Sequence, residues 1–342
     1  MWTKPLSTLH LYEDEAARRA FLQQVMIGKS PAIQKVIELV CQVAISPWTP
    51  VLLFGESGTG KEVVAHAIHE ASLTALHEFV PINCAAIPES LLETELFGVE
   101  AGAFTDAHVS REGYLMRANG GTFFLDEVSS MPLPLQPKLL RFLEEMTFRP
   151  VGGVDEHTVH LRVISATNED LAVAVKQNAF RQDLLYRLNV FSIYLPALRE
   201  RTEDIPLLID HFLHLAQTDG APTIQISDEA MELLMQYSWP GNIRELRHAL
   251  ERGQILCNGQ VLRARDLPDE IRQLSVADSQ RLNEFPQQLR LPPEGINLPA
   301  FIQEIERRLI AQALKECHGN QVRAAARLGL SRDQLRYRLS MY

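Results

Sequence analysis

The chain has 342 residues, of which 46% are hydrophobic and 22% charged, a composition typical of globular proteins with room for two domains. Its net charge of −10 at pH 7 excludes a protein that coats nucleic acid nonspecifically, because phosphate binding requires clustered Lys and Arg. The cysteines Cys41, Cys84, Cys257 and Cys317 are far apart and form no CxxC pair, which predicts neither a zinc site nor a disulfide framework. Because no apolar stretch reaches membrane-spanning length and the N-terminus lacks a signal-peptide pattern, we expect a cytoplasmic protein without a membrane partner.

Residues 1–24 form a short N-terminal segment, too short for a sensory domain of ordinary size, and a helical pattern follows over Pro31–Val43. We therefore expect the regulating signal to act from outside this chain, through expression or through a partner protein. Between Pro50 and Pro196, uninterrupted apolar runs alternate with helical patterns, which favours a parallel sheet covered on both faces. These runs are Val51–Phe54, Thr122–Leu125, Val163–Ala166 and Val190–Leu195. Residues 25–200 are thus predicted to form an α/β domain.

The pattern becomes helical after residue 200. Helices are predicted over Ile205–Ala216, Asp228–Tyr237 and Ile243–Leu256, so that residues 201–272 form a small all-helical lid. Residues 273–298 are rich in Gln, Pro and Ser and poor in periodic apolar positions, which is typical of a linker. Residues 299–342 then form a separate C-terminal domain.

A glycine-rich loop follows the first predicted strand and leads into a helix. Its residues are Gly55, Glu56, Ser57, Gly58, Thr59, Gly60 and Lys61. The glycines allow backbone N–H groups to surround phosphate oxygens, the helix N-terminus adds its positive end, and Lys61 reaches the β and γ phosphates of ATP. Glu62 stands where a Ser or Thr usually offers a hydroxyl to Mg²⁺, so the metal must depend more on another carboxylate.

That carboxylate follows the apolar run Thr122–Leu125, as Asp126 and Glu127. Asp126 is predicted to hold Mg²⁺ through water, and Glu127 to polarise the water that attacks the γ phosphate. The alternative is a glycine-rich turn and an unrelated acidic strand end, which the order and context of the two motifs disfavour. Asn168 follows a third apolar run and is predicted to orient the same water or to sense the γ phosphate, although an Asn after a strand is often only a turn residue.

Residues 95–107 are not explained by nucleotide binding. Their second half reads Gly102, Ala103, Phe104, Thr105, Asp106 and Ala107. It resembles the surface loop of bacterial activators of sigma-54-dependent transcription, enhancer-binding proteins of the AAA+ class in which the loop reads GAFTGA and contacts sigma-54 and promoter DNA. Matching segments also occur at Asn83–Ala86, Phe180–Leu188, Leu198–Arg201 and Trp239–Leu246, so that the resemblance covers about residues 25 to 270.

The resemblance implies roles for several polar residues. Arg181 and Arg187 correspond to arginine fingers, which reach into a neighbouring subunit's site and neutralise charge on the transferred phosphate. This implies a homo-oligomer, with dimers assembling into a hexameric ring. Arg244 corresponds to the sensor arginine of the lid, and Asn83 is expected to pair with Glu127 as a switch. Without the resemblance each arginine would be interpreted as a surface ion pair.

Asp106 departs from the family pattern, which has glycine at this position. An aspartate tolerates a left-handed backbone less well than glycine, and its charge is repelled by promoter phosphates. The leading hypothesis is an activator that binds upstream enhancer DNA and uses ATP hydrolysis to remodel the closed complex of sigma-54 RNA polymerase holoenzyme. The alternative is a DNA-binding AAA+ regulator whose ATPase controls only oligomerisation and which does not open sigma-54 promoters. A third reading, a general remodeller of proteins, leaves the C-terminal domain without a role.

The C-terminal end is basic, with six basic and two acidic side chains in residues 315–342 of an otherwise acidic chain. Residues 319–340 predict two short helices separated by Gly329, the first capped by Asn320 and the second by Ser331. The second helix carries Arg332, Gln334, Arg336, Tyr337 and Arg338, side chains suited to a major groove. This pattern resembles a Fis-type helix-turn-helix, and residues 299–316 are expected to dimerise it on paired half-sites.

Two histidines, His66 and His69, lie three residues apart on the helix after the glycine-rich loop. No third metal ligand is placed near them, so a metal site is not predicted. We expect both histidines to lie on the helix surface.

Overall fold

In the computed structural model, the described residues are 14–103, 109–218, 220, 222–257, 261–272, 307–314, 317, 320–328 and 335. Contacts divide the chain into two compact units, Met1–Ala277 and Asp278–Tyr342. Over the described ranges, no helix is both long and apolar enough to cross a membrane.

The elements of the first unit, up to the end of the sheet, are α1 (Glu15–Val25), α2 (Pro31–Ala44), β1 (Val51–Phe54), α3 (Lys61–Glu70), β2 (Phe79–Asn83), α4 (Glu89–Phe97), α5 (Tyr114–Arg117), β3 (Thr122–Asp126), α6 (Gln136–Glu145), β4 (Thr147–Phe148), β5 (His157–Thr158), β6 (Arg162–Thr167), α7 (Leu171–Lys176), α8 (Gln182–Leu188) and β7 (Phe191–Tyr194). Five of the strands form a parallel sheet in the order β2-β3-β6-β1-β7, and β4 pairs with β5 in a separate antiparallel ribbon. The predicted parallel sheet is therefore confirmed, together with all four strands that were expected from apolar runs.

The inner strands β3, β6 and β1 are buried almost throughout, which explains why they are largely apolar without alternation. Along the edge strands β2 and β7, burial alternates. Val51 and Leu53 of β1 pack in a core with α1, α2 and α3, whereas Leu52 of the same strand packs in a core with α4 to α8. Strands β6 and β1 occupy the centre of the sheet. The loops after these strands therefore meet at one edge, between two helical layers.

Strand β2 is absent from the sequence-based expectations because Pro81 stands in its middle. A proline lacks the N–H that a central strand needs, but an edge strand tolerates it. Within the part of the chain that the structure describes, β2 is such an edge, since it pairs with β3 alone. This strand matters for the site because it ends at Asn83, opposite Asp126.

The prediction that His69 lies on the helix surface is wrong. Its side chain is only 3% exposed, and its Nδ1 lies 2.9 Å from Oγ1 of Thr122 at the start of β3. His66 is half-buried and its ring lies against Phe79, with centroids 3.8 Å apart. The C-terminal half of α3 therefore packs onto the sheet on the side that carries both histidines.

The lid consists of α9 (Ile205–Thr218), β8 (Gln225–Ile226), α10 (Asp228–Gln236), α11 (Asn242–Leu256) and β9 (Val261–Leu262). The three predicted helices are present, and β8 and β9 add a two-residue parallel pair that the sequence patterns did not indicate. Trp239 is fully buried in the lid core, where its Nε1 donates to the carbonyl of Leu234 at 2.9 Å. The bend that it anchors leads directly into α11.

The second unit contains α12 (residues 307–314) and α13 (Gln321–Arg327). Its buried cluster is formed by Ile310, Ala313, Ala324, Ala325 and Leu335. The predicted cap of the first short helix is present, because Oδ1 of Asn320 accepts a hydrogen bond from the N–H of Arg323 at 3.2 Å. The predicted DNA-contacting residues Arg332, Gln334, Arg336, Tyr337 and Arg338, and the linker 273–298, lie outside the described residues.

Candidate nucleotide-binding site

The glycine-rich loop lies between β1 and α3, at the carboxyl edge of the sheet. Gly58 and Gly60 have φ values of +78° and +97°, in the region that favours glycine. At Gly58 a side chain is also excluded by space, since a Cβ would lie 2.2 Å from the carbonyl oxygen of Gly241. Within the described residues, the N–H groups of Gly60, Lys61 and Glu62 donate no hydrogen bond. Unpaired N–H groups at a helix N-terminus form an anion-binding cradle.

Lys61 is buried at the start of α3, and its ammonium lies inside the loop. Nζ donates to the carbonyl of Gly55 at 2.7 Å and to that of Glu56 at 3.0 Å. Burial lowers the pKa of Lys61, and the nearby carboxylates of Asp126 and Glu127 oppose this shift. The loop thus holds a cation whose hydrogen bonds, among the described residues, go to neutral carbonyl groups. Such a cation can exchange them for phosphate oxygens.

Asp126 and Glu127 lie half-buried at the end of β3, and Glu127 has a left-handed backbone with φ 51° and ψ 47°. This conformation is uncommon for a residue other than glycine and is often found at functional sites. Oδ1 of Asp126 accepts the N–H of Glu127 at 3.0 Å. The carboxylate of Glu127 makes no hydrogen bond within the described part of the chain. It is therefore available to a water molecule or a ligand.

The family resemblance implied that Asn83 pairs with Glu127. In the structure Asn83 does not pair with Glu127. Its Nδ2 lies 3.5 Å from Oδ2 of Asp126, and its Oδ1 accepts the N–H groups of Ala85 and Ala86 at 2.9 and 3.1 Å. The reason is register, because β2 and β3 run parallel and place Asn83 beside Asp126. Glu127 lies one residue beyond this pairing.

The donor atoms at this edge fit a magnesium ion held mainly by phosphate. No group of three or more His, Cys, Asp or Glu that could hold a metal exists among the described residues. Mg²⁺ at nucleotide sites usually keeps several waters and needs only one or two carboxylates besides the phosphates, and Asp126 offers one. Asn168 follows the end of β6, which lies between β1 and β3, and its side chain is exposed at the same edge.

The lid contacts the outer side of the loop through the first residues of α11. Nδ2 of Asn242 donates to the carbonyl of Ser57 at 2.9 Å, and Nη1 of Arg244 lies 3.0 Å from Oγ of the same serine. The N–H of Ile243 donates to the carbonyl of Gly58 at 3.0 Å. The predicted sensor residue Arg244 is therefore beside the loop of its own chain. Sequence reasoning did not single out Asn242, although it belongs to a segment that matches the family.

Glu56 uses its side chain to bind the lid junction. Its carboxylate accepts both Nη1 and Nη2 of Arg199, the former at 2.7 Å, and Nδ2 of Asn242 at 3.2 Å. The pKa of Glu56 is lowered to about 2, first by the hydrogen bonds from Arg199 and then by that from Asn242. Glu56 was predicted as a nucleotide-binding residue, and the structure shows its carboxylate turned to the lid. Glu62 is exposed on the first turn of α3.

Arg181 and Arg187 are both exposed at α8 and form no hydrogen bond with the loop of their own chain. Arg181 forms a two-pronged ion pair with Asp183, at 3.0 and 2.6 Å, and Arg187 donates twice to the carbonyl of Leu143, at 3.0 and 2.7 Å. A groove of about 630 Å³ lies beside Arg181. It is lined by Leu133, Val175, Asn178, Phe180, Arg181, Gln182, Asp183 and Tyr186.

A backbone pair between Val99 and Arg111 closes the base of the segment that contains the predicted surface loop. Val99 and Arg111 exchange both backbone hydrogen bonds, at 3.0 and 2.8 Å, which brings the two ends of the segment together. Gly102 has φ +86° with open space around it, and Ala103 lies against Gly152. The remaining motif residues, Phe104, Thr105, Asp106 and Ala107, lie outside the described residues.

A glycine-rich phosphate loop, a strand ending in two carboxylates and a helical lid that contacts the loop together define a P-loop ATPase of the AAA+ class. Three family models match successive parts of the chain and agree with this class. The "Sigma-54 interaction domain" matches residues 26–194, the "AAA+ ATPase lid domain" matches residues 199–284, and the "Bacterial regulatory protein, Fis family" matches residues 301–342. The chain belongs to the sigma-54-dependent transcriptional activators, which couple such an ATPase to a Fis-type DNA-binding domain.

Individual relatives support this assignment. Regulatory protein AtoC of Escherichia coli K12 is 45% identical over 318 residues, which cover 93% of this chain and 67% of AtoC. Transcriptional regulatory protein ZraR of Escherichia coli O157:H7 is 42% identical over 338 residues, 98% of this chain and 73% of ZraR. The crystal structure of NtrX from Brucella abortus in complex with ATP superposes with a TM-score of 0.65 at 34% identity, covering 92% of this chain and 68% of NtrX. The predicted family and fold class are thereby confirmed.

Proposed function

We propose that this activator binds upstream enhancer DNA, assembles into a homo-oligomeric ring of up to six subunits and uses hydrolysis of Mg²⁺-ATP to remodel the closed complex of sigma-54 RNA polymerase holoenzyme. The observation that carries the ATPase part is the meeting of the phosphate loop, Asp126, Glu127 and Arg244 in one compact unit. The observation that carries the sigma-54 part is the motif Gly102–Ala107, which lies in sequence between the hydrogen-bonded pair Val99 and Arg111.

In this proposal, N–H groups of the loop between Glu56 and Glu62 and the ammonium of Lys61 bind the phosphates. Gly55, also predicted to bind nucleotide, instead donates its N–H to the carbonyl of Thr167 at 3.3 Å. Glu127 orients the attacking water and accepts its proton, and Asn168 helps to place that water. Asp126 would hold Mg²⁺, and Asn83, whose Nδ2 lies 3.5 Å from Oδ2 of Asp126, would keep that carboxylate in place. When bound, Mg²⁺ supplies charge neutralisation at the phosphate oxygens.

Arg181 and Arg187 act on the site of a neighbouring subunit in the proposed ring. Their exposure and their separation from the loop of their own chain support this role. The groove beside Arg181 offers space for the neighbour. The guanidinium of Arg181 is paired with the carboxylate of Asp183 in this structure, so this ion pair must break when the arginine binds a phosphate.

The C-terminal domain is proposed to read enhancer DNA with Arg332, Gln334, Arg336, Tyr337 and Arg338. Binding as a dimer places two such helices on paired half-sites. Because DNA is the proposed target, we also propose that the protein acts in the bacterial cytoplasm. A regulatory partner protein is proposed to control the ATPase.

The test is open-complex formation on a supercoiled template with sigma-54 polymerase, ATP and an upstream site selected by the protein itself from genomic DNA. We expect the natural protein to open the promoter and Lys61→Ala to fail, because the variant lacks the phosphate-binding ammonium. Asp106→Gly restores the family residue in the loop and reports on coupling. Opening by Asp106→Gly alone would establish the alternative, a DNA-binding ATPase that is not coupled to sigma-54. Opening by neither protein, with ATPase activity and DNA binding intact, would refute the proposal.

A further inference from the structure

Asn242 is the first residue of α11, and its fully buried side chain links three parts of the first unit. Oδ1 accepts the N–H of Leu198, at 2.8 Å, in the turn that joins sheet and lid. Nδ2 donates to the carbonyl of Ser57 at 2.9 Å and to the carboxylate of Glu56 at 3.2 Å. Both amide protons therefore reach the phosphate loop.

The backbone at Asn242 has φ 53°, in the left-handed region. After glycine, Asn and Asp are the residues that adopt this conformation most readily. A glycine would fit the backbone, but only an amide of this length also offers one acceptor to Leu198 and two donors to the loop. The position thus requires both the backbone freedom and the side chain of asparagine.

The carbonyl that Asn242 binds belongs to the same planar peptide as the N–H of Gly58. In a trans peptide the C=O and N–H bonds point in opposite directions. When the carbonyl of Ser57 points outward to Asn242, the N–H of Gly58 must point to the inner side of the loop. The next peptide is held in the same way, because the carbonyl of Gly58 accepts the N–H of Ile243 at 3.0 Å.

We propose that Asn242 is a positioning residue for nucleotide binding: its amide holds the Ser57–Gly58 peptide so that the N–H of Gly58 faces the phosphates. It touches no phosphate and acts through this peptide. The inference rests on the proposed role of the loop as the phosphate site, and it adds that the outer side of the cradle is fixed by the lid.

The test compares variants by fluorescence titration with ADP and with a non-hydrolysable ATP analogue, using the full chain. Asn242→Asp keeps the left-handed backbone and the acceptor for Leu198, but replaces both donors by an oxygen that faces the carbonyl of Ser57 and the carboxylate of Glu56. Asn242→Gly keeps the backbone and deletes the amide, and it provides a second measurement if the first variant fails to fold. We expect both to weaken ADP and ATP-analogue binding about tenfold or more, because a buried carbonyl loses its donor.

Arg199→Gln is the matched control, since it breaks the two-pronged pair with Glu56 yet leaves the bond between Asn242 and Ser57 intact. We expect its nucleotide affinity to stay within about threefold of the natural protein. The alternative is that Asn242 only fastens the lid. All three variants would then lose thermal stability, but their nucleotide affinity, measured well below their melting temperatures, would stay within threefold of the natural protein. That result would show that the inference is wrong.

Lys61→Ala separates this failure from a failure of the site itself. If Lys61→Ala also binds both nucleotides normally, the loop is not the phosphate site and the proposed function falls with the inference. If Lys61→Ala loses binding and the two Asn242 variants do not, only the role of Asn242 is refuted.

Discussion

Glu127 combines two features that are seldom found together in a glutamate, a left-handed backbone and a half-buried carboxylate without a hydrogen bond among the described residues. A left-handed backbone costs about 1 kcal/mol or more outside glycine. Glu127 follows the last pair of the β2–β3 register, in which Asn83 lies opposite Asp126 and its Nδ2 contacts that carboxylate. A carboxylate held in this way is suited to accept a proton from water.

Glu127→Gln keeps the size of the side chain and removes the base. We expect ATP hydrolysis to fall by about 100-fold or more, because general-base catalysis contributes at least that factor, while ATP binding changes by less than about threefold. Phosphate release and nucleotide titration measure the two quantities. Glu169→Gln, an exposed carboxylate next to Asn168, is the control and should hydrolyse ATP like the natural protein. A Glu127→Gln variant with normal turnover would remove Glu127 from the mechanism.

At this scale, sequence patterns predicted which residues surround the phosphate loop, but not which atoms pair. Asn83 bonds Asp126 rather than Glu127 because strand register decides the pairing, and β2 was hidden by Pro81. Asn242 has no sequence signal apart from its family segment, since its role depends on a left-handed backbone that only the folded chain reveals.

Among the elements, α3 is tied to β3 by a closed set of buried hydrogen bonds. Ser72 Oγ donates to the carbonyl of His69, and Thr122 Oγ1 donates to Thr74 Oγ1. Each hydroxyl has one proton, so Thr74 must donate to Ser72, and the 2.9 Å contact between His69 and Thr122 must use a proton on Nδ1. The helix that begins at the phosphate loop is thus anchored near its far end by an Nδ1–H donor of His69.

This anchor predicts a dependence of stability on pH. Burial lowers the pKa of His69 to about 4 from its ordinary value of 6.5, so between these values the unfolded chain binds more protons than the folded one. Stability from this group is therefore complete above pH 6.5 and is lost as the pH falls towards 4, by up to about 3 kcal/mol. Urea unfolding of the natural protein and of His69→Asn at both pH values measures the difference.

His69→Asn replaces the Nδ1 donor by an amide that does not titrate, so we expect a weaker pH dependence of its free energy of unfolding. His66→Asn is measured for comparison. Burial also lowers the pKa of His66, but its side chain is only half-buried, so we expect a smaller change in pH dependence than for His69→Asn. Equal pH dependence in the natural protein and in His69→Asn would show that the histidine is not buried in its neutral form.

The elements themselves were largely predictable. Uninterrupted apolar runs located β1, β3 and β6, because strands buried on both faces need no polar positions. The run Val190–Leu195 also located β7, although burial alternates along this edge strand. The pair β8 and β9 was not predictable, since two residues on each strand carry no periodicity. The prediction for His69 failed for a different reason: a histidine on a helix is usually exposed, and Thr122, which accepts its Nδ1 proton, is distant in sequence.

For the whole molecule, the separation of the two arginines from the loop of their own chain suggests that an active site requires two subunits. Arg181→Ala and Lys61→Ala are each expected to be inactive. Mixing them in equal amounts should restore hydrolysis to about a quarter of the natural level, because about one interface in four joins an intact loop to an intact arginine in a closed ring. Phosphate release over a range of mixing ratios measures this recovery.

A mixture of Lys61→Ala with Glu127→Gln is the matched control. Both defects then lie on the same side of the interface, so no combination of subunits creates an intact site. Recovery in this control, or none in the first mixture when the subunits are shown to co-assemble, would contradict a site shared between subunits.

The hydrogen bonds of the lid to Glu56, Ser57 and Gly58 also limit where this protein could be recombined with a relative. The boundary between the two family matches, between residues 194 and 199, is where one would first consider joining segments from two parents. A chimera joined there would combine the phosphate loop of one parent with the start of α11 from the other. The two segments pack closely, since a Cβ added at Gly58 would lie only 2.2 Å from the carbonyl oxygen of Gly241. Exchange of the two segments as one block, through Arg272, keeps matched partners together.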